Sequence, residues 1–429
     1  MTAITRRRAL SVVSTLLGVA LLTSTVACGD DDDAAADTKR HLVKSEVERR
    51  PAASDAPVEE TVAGIRDFAV RLAATQPDGN LVVSPTSIAV AFAMAEAGAD
   101  DATAAKIAEV FGFPAQPGVH EAMNALTQAL DDANIDADEP ADQVTVELAN
   151  AVWGQSGHEF NQPFLDILAS DYGTGVETAD FADDPSGSRE AINAWVADIT
   201  RDRIPELVPD GMITPQTVVM LVNAIYLKAG WDTPFTEDLT SDQPFHLADG
   251  SSVDVPMMND SSLHTSASTG AGYSAVELPY KGGDLSMTVI VPDEGTSLAD
   301  FEAGLTGERL AEIVNGLQPV TVDLSLPRWD TKSALDLAEP LSSLGLPIPG
   351  GDLSGIAPGA GIGAAVHAAN ITVDETGTEA AAATAVAGVT SAAPGQTITV
   401  KVDRPFLFLI QHRTTGTPLF YGRVADPRG

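Results

Sequence analysis

The chain has 429 residues, 44% of them apolar, and carries a formal net charge of -37 from 24 lysines and arginines against 61 aspartates and glutamates. That is ample apolar material for a large core, whereas the acidic excess, with no basic cluster beyond the extreme N-terminus, excludes nucleic acid, anionic membrane surfaces and sulfated polysaccharides as partners. The single cysteine, Cys28, excludes intrachain disulfides and cysteine-rich metal sites.

Arg6, Arg7 and Arg8 precede an apolar stretch from Ala9 to Leu22 and then Thr25-Val26-Ala27-Cys28, the form of a signal peptide over residues 1–27. A cysteine directly after a small residue resembles a bacterial lipobox, which implies diacylation of Cys28 and an extracellular, surface-anchored protein that meets the membrane only through that lipid. Thr25 stands where that motif usually has leucine; the other reading is an ordinary cleaved signal with an incidental cysteine. The arginines are also compatible with twin-arginine export. Residues 28–57, with Asp30 to Asp33 and almost no large apolar side chain, read as a disordered acidic tether. Four adjacent aspartates without turn-forming spacing make no cation cage.

From residue 58 to 429 no composition shift divides the chain, and the pattern is that of one globular domain. Ile65, Phe68, Ala69 and Leu72 fall at helical spacing, Asn80 to Pro85 reads as a short strand and turn, and a helix follows from Ser87 to Gly98. Thr145 to Trp153 alternates like a strand, Gln162 to Tyr172 and Ser188 to Thr200 have helical spacing, and Val218 to Leu227 is apolar enough for a buried central strand. Leu278 to Tyr280 and Leu285 to Pro292 read as a hairpin, and Gly359 to Gly363 as a turn-rich connection. Helices come first and strands dominate later, which gives a mixed α+β fold with mainly antiparallel sheets.

The stretch Val373 to Thr390, VDETGTEAAAATAVAGVT, has two readings. Its composition suits a flexible alanine-rich linker. With period two, residues 378–387 read as a strand, with Thr378, Ala380, Ala382, Thr384 and Val386 on one face and, on the outward face, Ala381, Ala383, Ala385, Ala387 and Glu379, the only charge in that span.

Its flanks carry a resemblance. GAAVHAANITVDETGTEAAAAT and the C-terminal RPFLFLIQHRTTGTPLFYGRVADP are similar to the reactive-loop hinge and last strands of serpins, whose hinge pattern is met by Glu375, Gly377, Thr378, Glu379 and Ala380, Ala381, Ala382, Ala383. NLVVSPTSIAVAFAMAEAGA, LVNAIYLKAGWDTPF and Asp352-Leu353-Ser354-Gly355 are further matches. The resemblance implies about nine helices, an exposed reactive-centre loop, and a shutter beneath the central sheet made by Ser84, Ser87, Asn223 and His367. Ser84 or Ser87 read alone is a helix cap, and His367 read alone a structural core histidine. The resemblance also implies a breach where Trp231 packs and Arg328 pairs with Glu375.

Function then follows as an expectation: a suicide substrate of serine endopeptidases, with no cofactor and no metal, acting as a monomer. The family's usual spacing from Glu375 places the reactive bond at Ser391-Ala392, with Thr390-Ser391 as the runner-up. Small neutral residues there point to elastase-like or subtilisin-like targets. The alternative is a non-inhibitory binding protein of the same fold at the cell surface. An enzyme is not expected: no G-x-S-x-G elbow, Walker A loop or H-E-x-x-H motif occurs, and the histidines at 41, 120, 158, 246, 264, 367 and 412 stand apart in sequence.

Overall fold

A computed structural model describes residues 40–139, 142–379 and 397–429. Nine α-helices are found among them: α1 (Val58–Ala74), α2 (Pro85–Glu96), α3 (Asp101–Phe111), α4 (Gly118–Asp132), α5 (Gln162–Tyr172), α6 (Pro185–Ile199), α7 (Leu298–Ala303), α8 (Gly307–Asn315) and α9 (Ala338–Ser343). The strands of one sheet are β1 (His41–Val43), β3 (Val144–Gln155), β4 (Val176–Ala179), β5 (Val219–Gly230), β11 (Trp329–Asp336), β12 (Ile362–Val373) and β13 (Gly377–Thr378), in the order β1-β4-β3-β5-β13-β12-β11. The second sheet holds β2 (Leu81–Val83), β6 (Ser241–His246), β7 (Ser252–Gly270), β8 (Tyr273–Pro279), β9 (Leu285–Pro292), β10 (Gln318–Pro327), β14 (Thr397–Lys401), β15 (Phe406–His412) and β16 (Thr417–Val424). Both sheets are mixed and mainly antiparallel, as the sequence pattern implied; the parallel pairs are β3 with β4, β5 with β12 and β10 with β14.

The core lies in three layers. One cluster joins α1 to α4 to the lower part of both sheets, a second fills the space between the sheets, and a third lies on the outer face of the first sheet beneath α6. Every residue of α2 is buried, which is why its sequence is apolar all round rather than striped. It starts sharply because Pro85 occupies the first helical position and the Ser84 hydroxyl accepts from the Ser87 amide at 3.2 Å.

Two expectations need correction here. The segment read as a disordered tether up to Pro57 is ordered from Arg40: β1 adds to the edge of β4, with His41 opposite Thr178 and Val43 opposite Val176. The next residues are pinned by polar contacts that hydrophobic periodicity cannot register. Ser45 donates to Asp166 at 2.5 Å, Arg49 Nε to Asn124 Oδ1 at 3.0 Å, and Arg50 Nε to the buried Asp171 at 2.5 Å. The glycine-rich connection ends at Gly361, since Ile362 and Gly363 already belong to β12.

The Arg50 anchor has a measurable consequence. Arg50→Ala would leave the nearly buried Asp171 carboxylate without its cation. We expect a loss of about 2 kcal/mol, the usual cost of orphaning a buried charge reduced because Arg50 is itself half exposed. A urea midpoint unchanged from wild type would show that the strap adds nothing to stability.

Candidate functional site: a seam in the central sheet

Strands β5 and β12 run parallel and in contact from Val219 to Ile225, with His367 opposite Asn223 and Ala369 opposite Ile225. Beyond that point they diverge, and the two-residue strand β13 lies between them, antiparallel to both: Gly377 opposes Gly230, while Thr378 opposes Ala229 on one side and Val373 on the other. The chain reverses between β12 and β13 because the Asp374 carboxylate accepts from the Thr376 amide at 2.8 Å and the Gly377 amide at 3.2 Å. Position 377 has to be glycine. A Cβ there would stand 2.2 Å from the Ala229 carbonyl oxygen.

The wedge is held by specific contacts at its top. Trp231 stacks on Tyr280 with ring centroids 4.5 Å apart, and its indole Nε1 donates to the Asp374 carbonyl at 2.9 Å. The buried Tyr280 hydroxyl meets Thr378 Oγ1 at 2.7 Å, so the one polar side chain of β13 is satisfied. Arg328 donates twice to Glu375 Oε1, from Nε at 2.8 Å and Nη2 at 2.6 Å, and the Thr240 hydroxyl donates to the same oxygen. Burial alone would raise the Glu375 carboxyl, but the Arg328 and Thr240 hydrogen bonds outweigh it and hold the group below its ordinary value.

Lower in the seam lies a buried polar network. The Ser84 amide donates to His367 Nε2 at 2.9 Å, which fixes the neutral tautomer whose Nδ1–H donates to Asn223 Oδ1 at 2.5 Å. Asn223 Nδ2 then donates to the Val366 carbonyl at 2.8 Å, and Ser87 Oγ donates to Asn150 Oδ1 at 2.7 Å. The four expected shutter residues therefore come together, and the two readings of Ser84 hold at once: its hydroxyl caps α2 while its backbone serves the histidine. The network ties α2 to β3, β5 and β12.

Sequence reasoning missed four partners here. Tyr280 was read only as part of a hairpin, and Thr240 and Asp374 gave no signal beyond ordinary turn residues. Asn150 was legible in principle, as a polar residue in an apolar strand directly opposite Asn223. Glu379 needs correction, because its side chain is not turned out to solvent but is 3% exposed, against Arg203. The hinge alanines 380–383, the bonds Thr390-Ser391 and Ser391-Ala392, and Cys28 lie outside the described residues. Among the described residues no group of three or more His, Cys, Asp or Glu could hold a metal ion.

A family model described as serpin (serine protease inhibitor) matches residues 64–427. The chain belongs to the serpin family. It is 34% identical over 368 residues to human serpin B3, covering 82% of this chain and 94% of that protein. It is 35% identical over 379 residues to the bovine leukocyte elastase inhibitor, covering 84% and 97%. Among solved structures it resembles the thermophilic serpin tengpin in the native state, with a TM-score of 0.79 and 25% identity over 90% of this chain and all of that one. It also resembles thyroxine-binding globulin in complex with thyroxine, with a TM-score of 0.72 and 26% identity over 87% of this chain.

The buried network gives this serpin a calculable acid sensitivity. Burial holds His367 neutral, its pKa lowered from 6.5 to about 3, and lowers that of His120, bonded to the Tyr172 hydroxyl, to about 4. Both histidines gain protons more readily once unfolded, so each removes stability as pH falls below 6.5. Burial acts oppositely on Glu96, raising its pKa from 4.5 to about 7, so that its contribution is full below 4.5 and disappears as pH rises through 7. Burial lowers His412 in the same sense and raises Glu177, Glu302 and Glu379 in the opposite one, so His367 is one contributor among several, and its own share is a loss of about 1.4 kcal/mol per pH unit below 6.5. His367→Gln should change the slope of stability against pH by about that share, read from urea midpoints between pH 6.5 and 4.5; an unchanged slope would show that His367 does not titrate on unfolding.

Proposed function

We propose that this chain inhibits serine endopeptidases as a suicide substrate. Serpins as a family are protease inhibitors rather than catalysts, and the observation that carries the reading for this chain is the seated hinge. Gly377 and Thr378 already occupy the top of the β5–β12 seam, and the residues that would follow them into it, Ala380 to Ala383, are all small. Below them β5 and β12 are paired directly and must part to admit a strand. The native arrangement is thus a kinetic trap rather than the lowest free-energy state.

The chemistry belongs to the protease. Its serine Oγ attacks the carbonyl carbon of Ser391, the peptide bond to Ala392 breaks, the Ala392 amine leaves with a proton, and an ester joins protease to inhibitor. The freed hinge then enters the seam as a new strand. About 15 residues at ~3.3 Å each carry the tethered protease on the order of 50 Å before water can complete deacylation. The small side chains at Gly377, Thr378 and Ala380 to Ala383 permit this because a bulky or charged group on the buried face would halt insertion. Small neutral residues at the Ser391-Ala392 bond, or Thr390-Ser391 as runner-up, fit elastase-like and subtilisin-like pockets, in keeping with the leukocyte elastase inhibitors among the relatives. Export by the N-terminal signal and anchoring through a lipidated Cys28 would set this bait at the outer cell surface.

The test mixes the protein with pancreatic elastase and with subtilisin, runs denaturing gels and determines the mass of the released C-terminal peptide. The expected result is a complex that survives denaturation together with a peptide beginning at Ala392. Cleavage within the loop without a complex would favour instead a non-inhibitory protein of the same fold at the cell surface.

A further inference from the structure

Among the described residues three non-glycine residues have positive φ: Arg201 at 51°, Asp202 at 61° and Glu379 at 51°. They lie in or beside a single contact. The chain leaving α6 makes a left-handed turn, with the Asp202 amide donating to the Ala197 carbonyl at 2.8 Å and the Arg203 amide to the Thr200 carbonyl at 3.0 Å. That turn directs Arg203 back over the sheet, where its Nε meets Glu379 Oε1 at 3.1 Å. Arg201 lies 4.5 Å above the Tyr226 ring and pairs with Glu147 at 2.9 Å, which fixes the turn from its other side. Left-handed backbone at ordinary residues costs free energy and persists only where surrounding contacts impose it.

The Glu379 side chain is 3% exposed, its Oε2 is buried with no hydrogen-bond partner, and Arg203 is the cation paired with it. Burial raises the carboxyl above its ordinary value, and the charge of Arg203 opposes that. Glu379 also marks where the seated strand ends, its amide donating to the Thr372 carbonyl at 3.1 Å. Helix α6 packs on this face of the sheet, with Ile192, Trp195 and Val196 in the same cluster as Val222 and Ala224 of β5 and Val366 of β12. A strand growing down the seam has to pass beneath that helix.

We propose that Arg203 is a positioning residue for loop insertion: it seats Glu379 beneath the turn that follows α6 and so holds the first hinge residues in the sheet before any bait bond is cut. The pairing sets the leading residue of the new strand against the end of the helix that must lift. In Arg203→Ala the buried carboxylate would lose its directly paired cation and keep only the Tyr226 hydroxyl and the weaker attraction of Arg201, so the hinge withdraws to bring it back to water. In the double variant Arg203→Ala/Glu379→Ala no charge remains to be desolvated and the hinge stays seated. Arg203→Lys keeps a cation within reach and restores the seat in part.

The seat is tested by amide hydrogen exchange on the free, uncleaved protein. Arg203→Ala should speed exchange at Thr378 and Glu379 by about tenfold or more, and adding Glu379→Ala should return it to near the wild-type rate. A role confined to shaping the turn would not be rescued by a change in the hinge. Equal exchange in all three proteins, or a double variant as fast as Arg203→Ala, overturns the proposal.

Its effect on inhibition rests on the inhibitory reading above and is measured separately. With subtilisin, Arg203→Ala should raise the number of inhibitor molecules consumed per protease inactivated severalfold, at an unchanged rate of loop cleavage, and the double variant should lower it again. If the wild type forms no covalent complex while the exchange pattern holds, the inhibitory reading fails and the seat stands.

Discussion

Thr378→Arg is expected to abolish the covalent complex while leaving the loop cleavable. Thr378 is 1% exposed, with its hydroxyl on Tyr280 and its backbone between β5 and β12. A guanidinium at this position has no carboxylate to meet inside the sheet, and burying it unpaired costs several kcal/mol. In the mechanism proposed above insertion competes with deacylation, so a barrier raised by about 4 kcal/mol would slow insertion on the order of a thousandfold and hydrolysis would win. The measurable outcome is a shift from complex to cleaved inhibitor on denaturing gels, with more than about ten inhibitor molecules turned over per protease inactivated. Thr378→Ser keeps the hydroxyl for Tyr280 and should inhibit nearly as wild type does. An undiminished yield of complex from the arginine variant would mean that Thr378 does not enter the sheet when the loop inserts, and the mechanism would have to be abandoned.

Most of the seam was legible in the sequence through the resemblance to serpins, and the structure shows why those positions have narrow physical requirements. Gly377 is where no Cβ fits, Asn223 and His367 are polar groups in apolar strands that demand partners, and Arg328 and Glu375 are opposite charges whose distance only the fold could set. Periodicity also found the bounds of α5 and of β9, but it gave the arm before β9 only as Leu278 to Tyr280, whereas β8 begins at Tyr273 and ends at Pro279. It failed where order comes from polar contacts. Residues 40–57 have little apolar patterning, yet Ser45, Arg49 and Arg50 hold them to α4 and α5, and β1 forms by adding to an existing edge. It failed again at Glu379, since a period of two assigns a face but not what covers that face. The outer side of this sheet carries α6 and its left-handed turn, so a residue assigned to water lies beneath an arginine. Tyr280 was missed for a similar reason: its value lies in a partner 98 positions away.

Glu375→Lys should destabilise the top of the seam and convert the protein to polymers on gentle heating. The wild-type carboxylate is 7% exposed and takes two hydrogen bonds from Arg328, which is 39% exposed. The substitution places an ammonium beside that guanidinium and removes the acceptor for Thr240. Because Arg328 retains some solvent, the loss is about 2–3 kcal/mol rather than that of a fully buried pair. It falls where the backbone is already divided. The Phe235 amide donates to the Glu375 carbonyl at 2.9 Å and the Trp231 amide to the Thr376 carbonyl at 2.9 Å, so displacing this turn frees the hinge and uncovers the edges of β5 and β12 together. Unpaired strand edges recruit another strand, and the hinge of a second molecule has the small side chains to fit. After incubation a few degrees below its melting midpoint, Glu375→Lys should run as a ladder on native gels where the wild type remains monomeric. The charge-swapped double variant Glu375→Lys/Arg328→Glu restores opposite charges and should recover most of the monomer. A single variant as heat-resistant as wild type, or a swap that polymerises as readily as Glu375→Lys alone, would show that this ion pair is not what keeps the sheet closed.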